Sequence, residues 1–191
     1  MPDVSALAAR TVAELAAAIE AGERPKWLHF WGHTPKGDDV GPWCLSQWFP
    51  ARFHDEGGTE FASAEHYMMW RKAELFEDAD LAGQILAART PAEAKDLGRR
   101  VRGFDDETWV GHRWEIVVSG SVLKFSSDPA LRDYLLATRN RVLVEASPRD
   151  RIWGIGLGAS SEYAERPDHW RGLNLLGFAL MEARDRLAVS R

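Results

Sequence analysis

Glu65 and Lys72 are charged residues in a stretch dense in Met, Tyr, Trp and Phe, FASAEHYMMWRKAELF, from Phe61 to Phe76. If Ser63 is the N-cap of a helix, Glu65 falls in the first turn, where the helix dipole favours an ionised carboxylate. Lys72 follows two turns later, and at 100° per residue the two side chains return to within roughly 20° on one helix face. Such a face would offer a ligand a carboxylate at one end and an ammonium at the other.

Two interpretations of this face remain open from the spacing alone. Met68 and Met69 lie between the charged residues and would give a pocket a soft apolar floor. A pocket of this kind suits a ligand with a cationic transition state near one end and an anionic group near the other. Alternatively, Glu65 and Lys72 face solvent beside a Met and Trp stripe that packs in the core.

A second set of candidates lies in EASPRDRIWGIGLG, residues 145–158. Asp150 follows a predicted strand and a Ser-Pro turn, a place where catalytic carboxylates and simple turn-forming residues are both common. Trp153 and Gly154 come next, and the glycines of this stretch would allow a ligand close to the backbone. GIGLGA fits G-x-G-x-x-[G/A], but no further βαβ unit follows, which excludes a dinucleotide fold.

A third candidate, Lys124, ends an otherwise apolar helix predicted over 107–124. It shares a helical face with Arg113, Val117 and Gly120. The ammonium could reach into a pocket, or it could simply favour the helix C-terminus by its charge.

Other chemistries are disfavoured. His29 and His33 form H-x-x-x-H, but Gly32 and the strand-like context spoil the helical geometry of a metal site. A lone Cys44 is more typical of a buried core residue than of a nucleophile, and it excludes an internal disulfide framework. We therefore expect no metal and a reducing compartment.

Composition limits the class of protein. The chain has 191 residues, a net charge of -5 and nine tryptophans. Its length suits one domain, and its acidity argues against a broad basic surface for nucleic acid. No stretch reaches the length of a membrane span, and Asp3, Arg10, Glu14 and Glu20 interrupt any signal peptide, so we expect a cytoplasmic protein without membrane contact.

The elements that must position these residues follow from periodicity and punctuation. An Ala-rich helix over 3–21 belongs to an N-terminal extension, 1–25, which precedes a main domain, 26–191. Strands are expected at 27–32, 141–147 and 151–156, and extended structure broken at Pro50 at 43–54. Helices are expected at 63–76, 79–88, 91–101, 107–124 and 129–138, with Ser63, Thr90 and Asp128 as N-caps, and at the C-terminus from Leu173. The predicted fold class is α+β, a mostly helical single domain with a small β-sheet.

Four blocks of the sequence together resemble the NADAR family, the YbiA-like N-glycosidases. They are GPWCLSQWFPARF, FASAEHYMMWRKA, GHRWEIVVSGSVLKFSSDPALRDYLLAT, and LVEASPRDRIWGIGLG through GLNLLGFALMEAR. The resemblance covers about residues 27–187 and is specific, because the blocks occur in the family's order. Where the family usually carries Ser-Asn-Phe, this chain has Ser46-Gln47-Trp48, which leaves the shape of the base or sugar site undetermined.

The resemblance implies hydrolysis of an N-glycosidic bond at a phosphorylated ribose, with no metal and no redox cofactor. Family substrates are phosphoribosyl-aminopyrimidine intermediates of riboflavin biosynthesis and ADP-ribose on guanine bases. The acidic charge balance favours the small phosphoribosyl compound; the alternatives are removal of ADP-ribose from guanine in nucleic acid and a non-catalytic module that binds ADP-ribose or a nucleotide. A lysine binds phosphate or attacks the sugar as an imine-forming nucleophile, and the sequence does not choose between these roles. The expected catalytic residues are Glu65, Lys72 and Asp150, and the expected substrate contacts are Lys124, Trp153, Gly154, Trp70, Trp114 and Ser46.

Overall fold

The computed structural model describes residues 5–189, and helices dominate that range. The helices are α1 Val12–Glu20, α2 Ala64–Leu75, α3 Ala79–Ala87, α4 Pro91–Gly98, α5 Asp106–Ser126, α6 Pro129–Ala137 and α7 Leu175–Val189. The strands are β1 Lys26–Phe30, β2 Phe53–His54, β3 Glu60–Phe61 and β4 Arg141–Glu145. The predicted α+β class is thus confirmed, with short two-stranded ladders in place of one sheet. Within the described range no helix is long and apolar enough to cross a lipid bilayer.

The described chain divides into two compact units. Gln47–Arg132 form one, which we call the helical unit, and the described residues on either side of it, 5–46 and 133–189, form the other. We call this second unit the parallel-strand unit because β1 and β4 pair in parallel, from Lys26 opposite Arg141 to Phe30 opposite Glu145. Parallel strands cannot be joined by a tight turn, and here the connection contains the whole helical unit.

Helix α7 packs against β4 and closes the parallel-strand unit. The buried Asn174, just before the helix, accepts the Glu145 N–H through Oδ1 and donates from Nδ2 to the Leu143 carbonyl, both at 2.9 Å. Its φ of 51° is in the left-handed region, which asparagine tolerates better than most residues. At Gly177 a Cβ would collide with the Leu143 carbonyl oxygen, so only glycine lets the helix approach the strand this closely.

In the helical unit, α2 packs against α3, α4 and α5. Two glycines permit the close crossings: the Tyr67 ring lies where a side chain at Gly120 would be, and Met69 occupies the same place at Gly98. The predicted N-caps are confirmed, because the side chains of Ser63, Thr90 and Asp128 accept backbone N–H groups of the turn that follows. The predicted helices are confirmed as well, although α4 ends at Gly98 and not at residue 101.

The helix predicted over 3–21 is shorter in the structure. Residues 3 and 4 lie outside the described range, and α1 begins only at Val12. Thr11 and Glu14 form a capping box, in which the Thr11 hydroxyl accepts the Glu14 N–H and the Glu14 carboxylate accepts the Thr11 N–H. This reciprocal pair fixes the helix start after a separate turn at residues 6–8.

Two predicted extended segments are wrong. A 3-10 helix occupies Pro42–Leu45, since proline favours the first helical position, and only Phe53–His54 of the 43–54 segment is a strand. The strand predicted at 151–156 is absent from this described stretch, which is a loop. There Asp150 Oδ1 accepts the N–H groups of Ile152 and Trp153, at 2.9 and 2.7 Å, and bends the chain into a turn.

Candidate functional site

Glu65 is a buried carboxylate at the start of α2. Its side chain belongs to the first turn, and only 3% of the residue is exposed. Its N–H donates to the Gln47 carbonyl at 3.0 Å, which ties this turn to the start of the helical unit. Burial disfavours an ionised carboxylate, whereas the partial positive charge of the helix N-terminus favours it. The interpretation of Glu65 as a solvent-facing residue is therefore wrong.

The neighbouring His66 has a structural explanation. Its Nε2–H donates to the Ala88 carbonyl at 3.1 Å, and its Nδ1 accepts the Ser63 hydroxyl at 2.7 Å. Because a carbonyl can only accept, these partners suit the neutral ring protonated at Nε2. Burial lowers the pKa of His66, partly countered by the bond to Ala88 and by the charge of Glu93.

Lys72 lies half-buried at the other end of α2. Its Nζ donates to the Gly98 carbonyl at 2.9 Å and lies 4.1 Å from the centre of the Phe104 ring and 5.6 Å from that of Trp109. Burial lowers the pKa of Lys72, and the nearby charge of Asp106 acts in the opposite direction. The ammonium is thus held where α4 ends and α5 begins, in surroundings that raise the fraction of neutral amine.

Of the two lysines predicted for the site, Lys124 is the more deeply buried. It lies in the last turn of α5 with 1% exposure, and its Nζ is 5.0 and 5.6 Å from the ring centres of Phe125 and Phe49. Such cation–π contacts strengthen when they are removed from water. Its place in the last turn is compatible with both interpretations, a favourable charge at the helix C-terminus and a group that reaches a ligand site, but a charge at a terminus does not require this burial.

The two predicted tryptophan contacts of the helical unit are half-buried. The Trp70 ring packs 5.2 Å from the Phe61 ring, centre to centre. Trp70 also lines a groove of about 380 Å³ with Tyr67, Arg71 and other residues of α2 and α5. Five residues of helix turn Trp70 roughly 140° away from Glu65, so this groove opens on a different face of α2. For Trp114 the structure adds only its place on α5.

The remaining predicted site residues belong to the parallel-strand unit. Asp150 is half-buried and forms the turn described above, and Trp153 N–H is one of its two partners. Gly154 is buried, and a Cβ there would lie 2.8 Å from the Glu145 carbonyl oxygen. Protein packing therefore accounts for this glycine without a ligand. Ser46 is the residue that ends the 3-10 helix Pro42–Leu45.

The described residues hold no ready-made metal site. Within 5–189 no three His, Cys, Asp or Glu side chains are grouped so that they could hold a metal ion. Cys44 is buried, in agreement with the core residue favoured by the sequence.

Comparison with known proteins identifies the family. A family model of the NADAR domain matches residues 29–188. The chain belongs to the NADAR family. An N-glycosidase of Acanthamoeba polyphaga mimivirus is 42% identical over 167 residues, which cover 85% of this chain and 97% of the relative. The NMR structure of Escherichia coli YbiA superimposes with a TM-score of 0.68 at 25% identity, covering 88% of each chain.

NADAR membership confirms the resemblance and the fold class. It also confirms the predicted enzyme class, because the relatives named N-glycosidase include the mimivirus protein and E. coli YbiA, the latter 29% identical over 134 residues. A chloroplastic riboflavin biosynthesis protein of Zea mays is 33% identical over 142 residues, but this chain spans only 21% of its length.

The NADAR blocks contain residues whose importance the sequence analysis missed. In GLNLLGFAL, the side-chain amide of Asn174 forms hydrogen bonds to the β4 backbone, and Gly177 allows α7 to approach β4 closely. An asparagine directly before a buried helix was the available signal, since Asn tolerates a positive φ. These residues build the unit and have no contact that suggests chemistry.

Proposed function

We propose that this NADAR protein hydrolyses the N-glycosidic bond of a small phosphorylated ribosyl base, and that Glu65 is its charge-stabilising carboxylate. The observation that carries the proposal is the burial of Glu65 in the first turn of α2. Burial removes the hydration of an ionised carboxylate, and ionisable groups in such surroundings are concentrated at functional sites. The relatives named N-glycosidase supply the class of reaction.

The chemistry explains why such a carboxylate is useful. As the bond between C1′ and the base nitrogen breaks, its electron pair leaves with the base and positive charge spreads over C1′ and the ring oxygen. A fixed negative charge in surroundings of low dielectric constant stabilises this state more than the neutral substrate. Water then adds to C1′, where it keeps one proton as the new hydroxyl and gives up the other, so that the departing base gains one proton.

Lys72 and Lys124 have two candidate roles in this proposal. One is to bind the substrate phosphate; the other is attack by a neutral amine on C1′, followed by ring opening to an imine. The lowered pKa of Lys72 favours the second role for that residue. Borohydride reduces an imine to a stable amine, so adding it during turnover separates the roles. A phosphoribosyl mass on the peptide with Lys72 or with Lys124 supports attack by that lysine, and unmodified lysine peptides with ongoing hydrolysis support phosphate binding.

The proposed substrate is a phosphoribosyl-aminopyrimidine. The maize relative supports this pathway by its name, and the chain's excess of acidic residues, 29 against 24 basic ones, disfavours a polymer rich in phosphate. The test is a competition. The purified protein receives the phosphoribosyl-aminopyrimidine and an oligonucleotide with ADP-ribosylated guanine at equal concentration, and mass spectrometry counts released ribose phosphate and ADP-ribose.

The competition has distinct outcomes. A preference for the small compound supports the proposal, and a preference of about tenfold or more for the oligonucleotide would replace the substrate while leaving the reaction class intact. Binding of both without release of either would indicate the non-catalytic module. A parallel reaction with chelator tests the expected independence from metal. The roles of Asp150, Trp153, Gly154, Trp70, Trp114 and Ser46, the separate extension 1–25 and the cytoplasmic location stay predictions.

A further inference from the structure

A groove of about 540 Å³ lies at the carboxyl end of β1 in the parallel-strand unit. Its lining includes Trp31, Thr34, Lys36 and Trp43, together with Ala146 beyond the end of β4. The volume falls in the range of small-molecule sites, roughly 300–1,000 Å³. None of the residues that the sequence analysis assigned to chemistry lines it.

The position of the groove follows from the strand pair. Phe30 and Glu145 are the last paired residues, and the Ala146 N–H still donates to the Phe30 carbonyl at 2.9 Å. The strand pairing ends there, and Gly32 and Ala146, which carry no bulky side chain, are among the residues that line the groove. Space beyond the carboxyl ends of parallel strands is a common place for ligands.

Two tryptophans provide flat apolar walls. The Trp43 ring packs directly over Gly41, where a Cβ would collide with it, so the ring is held in place by the backbone beneath it. Trp31 is 63% exposed, an unusual state for so large an apolar side chain. An exposed tryptophan beside a fixed one suits a planar aromatic ligand, because rings stack favourably on such faces.

The charge of the groove selects the other part of the ligand. Its lining residues, all of which the structure describes, include one Lys, Lys36, and no Arg, Asp or Glu. The Thr34 hydroxyl adds a hydrogen-bond donor on the same loop. An ammonium and a hydroxyl next to aromatic walls fit a phosphate attached to a ring system.

We infer that this groove binds a nucleotide, with the aromatic base against Trp31 and Trp43 and a phosphate at Lys36. The choice of a nucleotide among aromatic anions rests on the proposed function, since the proposed substrates are ribosyl phosphates of aromatic bases. The shape and charge of the groove are independent of that proposal.

Three simple probes test the two halves of the site in the whole 191-residue chain. AMP carries base and phosphate, adenosine the base alone, and ribose 5-phosphate the phosphate alone. Binding is followed by the shifts of the tryptophan indole N–H signals in NMR titrations, which need no turnover. We expect AMP to bind the parent more tightly than either fragment.

Substitutions then assign the contacts. Trp31→Ala should weaken AMP and adenosine about tenfold or more, through loss of stacking. Lys36→Gln should weaken AMP and ribose 5-phosphate about threefold, more at low salt, and leave adenosine unchanged. Lys26→Gln, an exposed lysine at the opposite end of β1, is the matched control and should bind like the parent. Since Trp31 and Lys36 are exposed, circular dichroism should show an intact fold.

Equal AMP affinity in Trp31→Ala and the parent, or no AMP binding by the parent at millimolar concentration, would overturn the inference. Its failure differs from a failure of the proposed function. Glu65→Gln should retain AMP binding while it loses hydrolysis. If the parent hydrolyses its substrate but Trp31→Ala binds AMP as tightly as the parent, the proposed function stands and the proposed nucleotide site is wrong.

Discussion

Helices α2 and α7 are both largely buried, but the surroundings of their buried polar side chains differ. In α7 the one buried charge is Arg184, whose guanidinium donates to the Thr138 hydroxyl and the Arg141 carbonyl, both at 2.9 Å. Asn174, directly before α7, likewise uses its side-chain amide for hydrogen bonds to the β4 backbone. In the parallel-strand unit, these two buried polar side chains thus attach helix α7 to strand β4 and to the residues just before it.

Helix α2 carries ionisable groups that attachment alone does not explain. His66 fits the pattern of α7, since its two bonds join α2 to the end of α3 and to the N-cap. Glu65, in contrast, places a carboxylate in a buried first turn. Lys72 joins α2 to the end of α4 through the Gly98 carbonyl and also holds its amine against the Phe104 ring. Perturbed ionisable groups are concentrated at functional sites. The contrast agrees with a structural role for the polar residues of the α7 block and with the chemistry proposed for Glu65 on α2.

The most damaging change should be Gly177→Ala. The new Cβ would meet the Leu143 carbonyl, a backbone atom that cannot move aside without shifting β4. We expect a loss of about 3 kcal/mol or more in the free energy of unfolding. Gly83→Ala is the control, because that exposed position on α3 has open space, and alanine should stabilise it by about 0.5–1 kcal/mol. Urea denaturation measures both, and equal stability of the two variants would contradict the close approach of α7.

For Asn174→Ala we expect a smaller loss, about 2 kcal/mol, in the free energy of unfolding, because the substitution removes both hydrogen bonds from the side-chain amide to the β4 backbone. Asn174→Gly separates two causes, since glycine accepts the positive φ but also lacks the amide. If the bonds dominate, both variants lose similar stability in urea. Full stability of the glycine variant would show that backbone conformation, and not the amide, is the reason for asparagine.

The smallest effect concerns His66 and pH. Because its pKa is lowered in the folded protein, the unfolded chain takes up a proton first as the pH falls through the ordinary value of about 6.5. The stability due to neutral His66 is present above that pH and is lost below it. The free energy of unfolding should therefore drop less between pH 7.5 and pH 5.5 in His66→Gln than in the parent. His112→Gln, at an exposed position, should drop as the parent does; the same drop in all three proteins would exclude His66 as a cause.

Local signals predicted most of the helices. The caps Ser63, Thr90 and Asp128 and the prolines at first helical positions gave boundaries within a few residues, because capping depends on neighbours in sequence. The segment at 151–156 failed for the opposite reason. Its β-like composition was overridden by the Asp150 turn and by bonds to distant partners, such as Ile155 N–H to the Glu145 carbonyl at 3.0 Å.

The candidate site was predictable in part. Helical spacing correctly placed Glu65 in the first turn of α2, but it could not reveal that Lys72 contacts Gly98 and Phe104, because those contacts depend on how α4 and α5 pack. The groove beside Trp31 was missed for a similar reason. One of its walls includes Ala146, and this residue lies near β1 because β4, more than a hundred residues away in sequence, pairs with β1.

The central claim is that Glu65 supplies the negative charge for N-glycoside cleavage. Glu65→Gln removes that charge at nearly constant shape, so we expect an intact fold and a fall of about 100-fold or more in the rate of base release. Glu74→Gln, an exposed position of the same helix, should retain the parent's rate. The decisive measurement is single-turnover release of the base from the phosphoribosyl-aminopyrimidine by the three proteins. Slow release by Glu65→Gln alone is the predicted result, and release by that variant at the parent's rate would contradict the account.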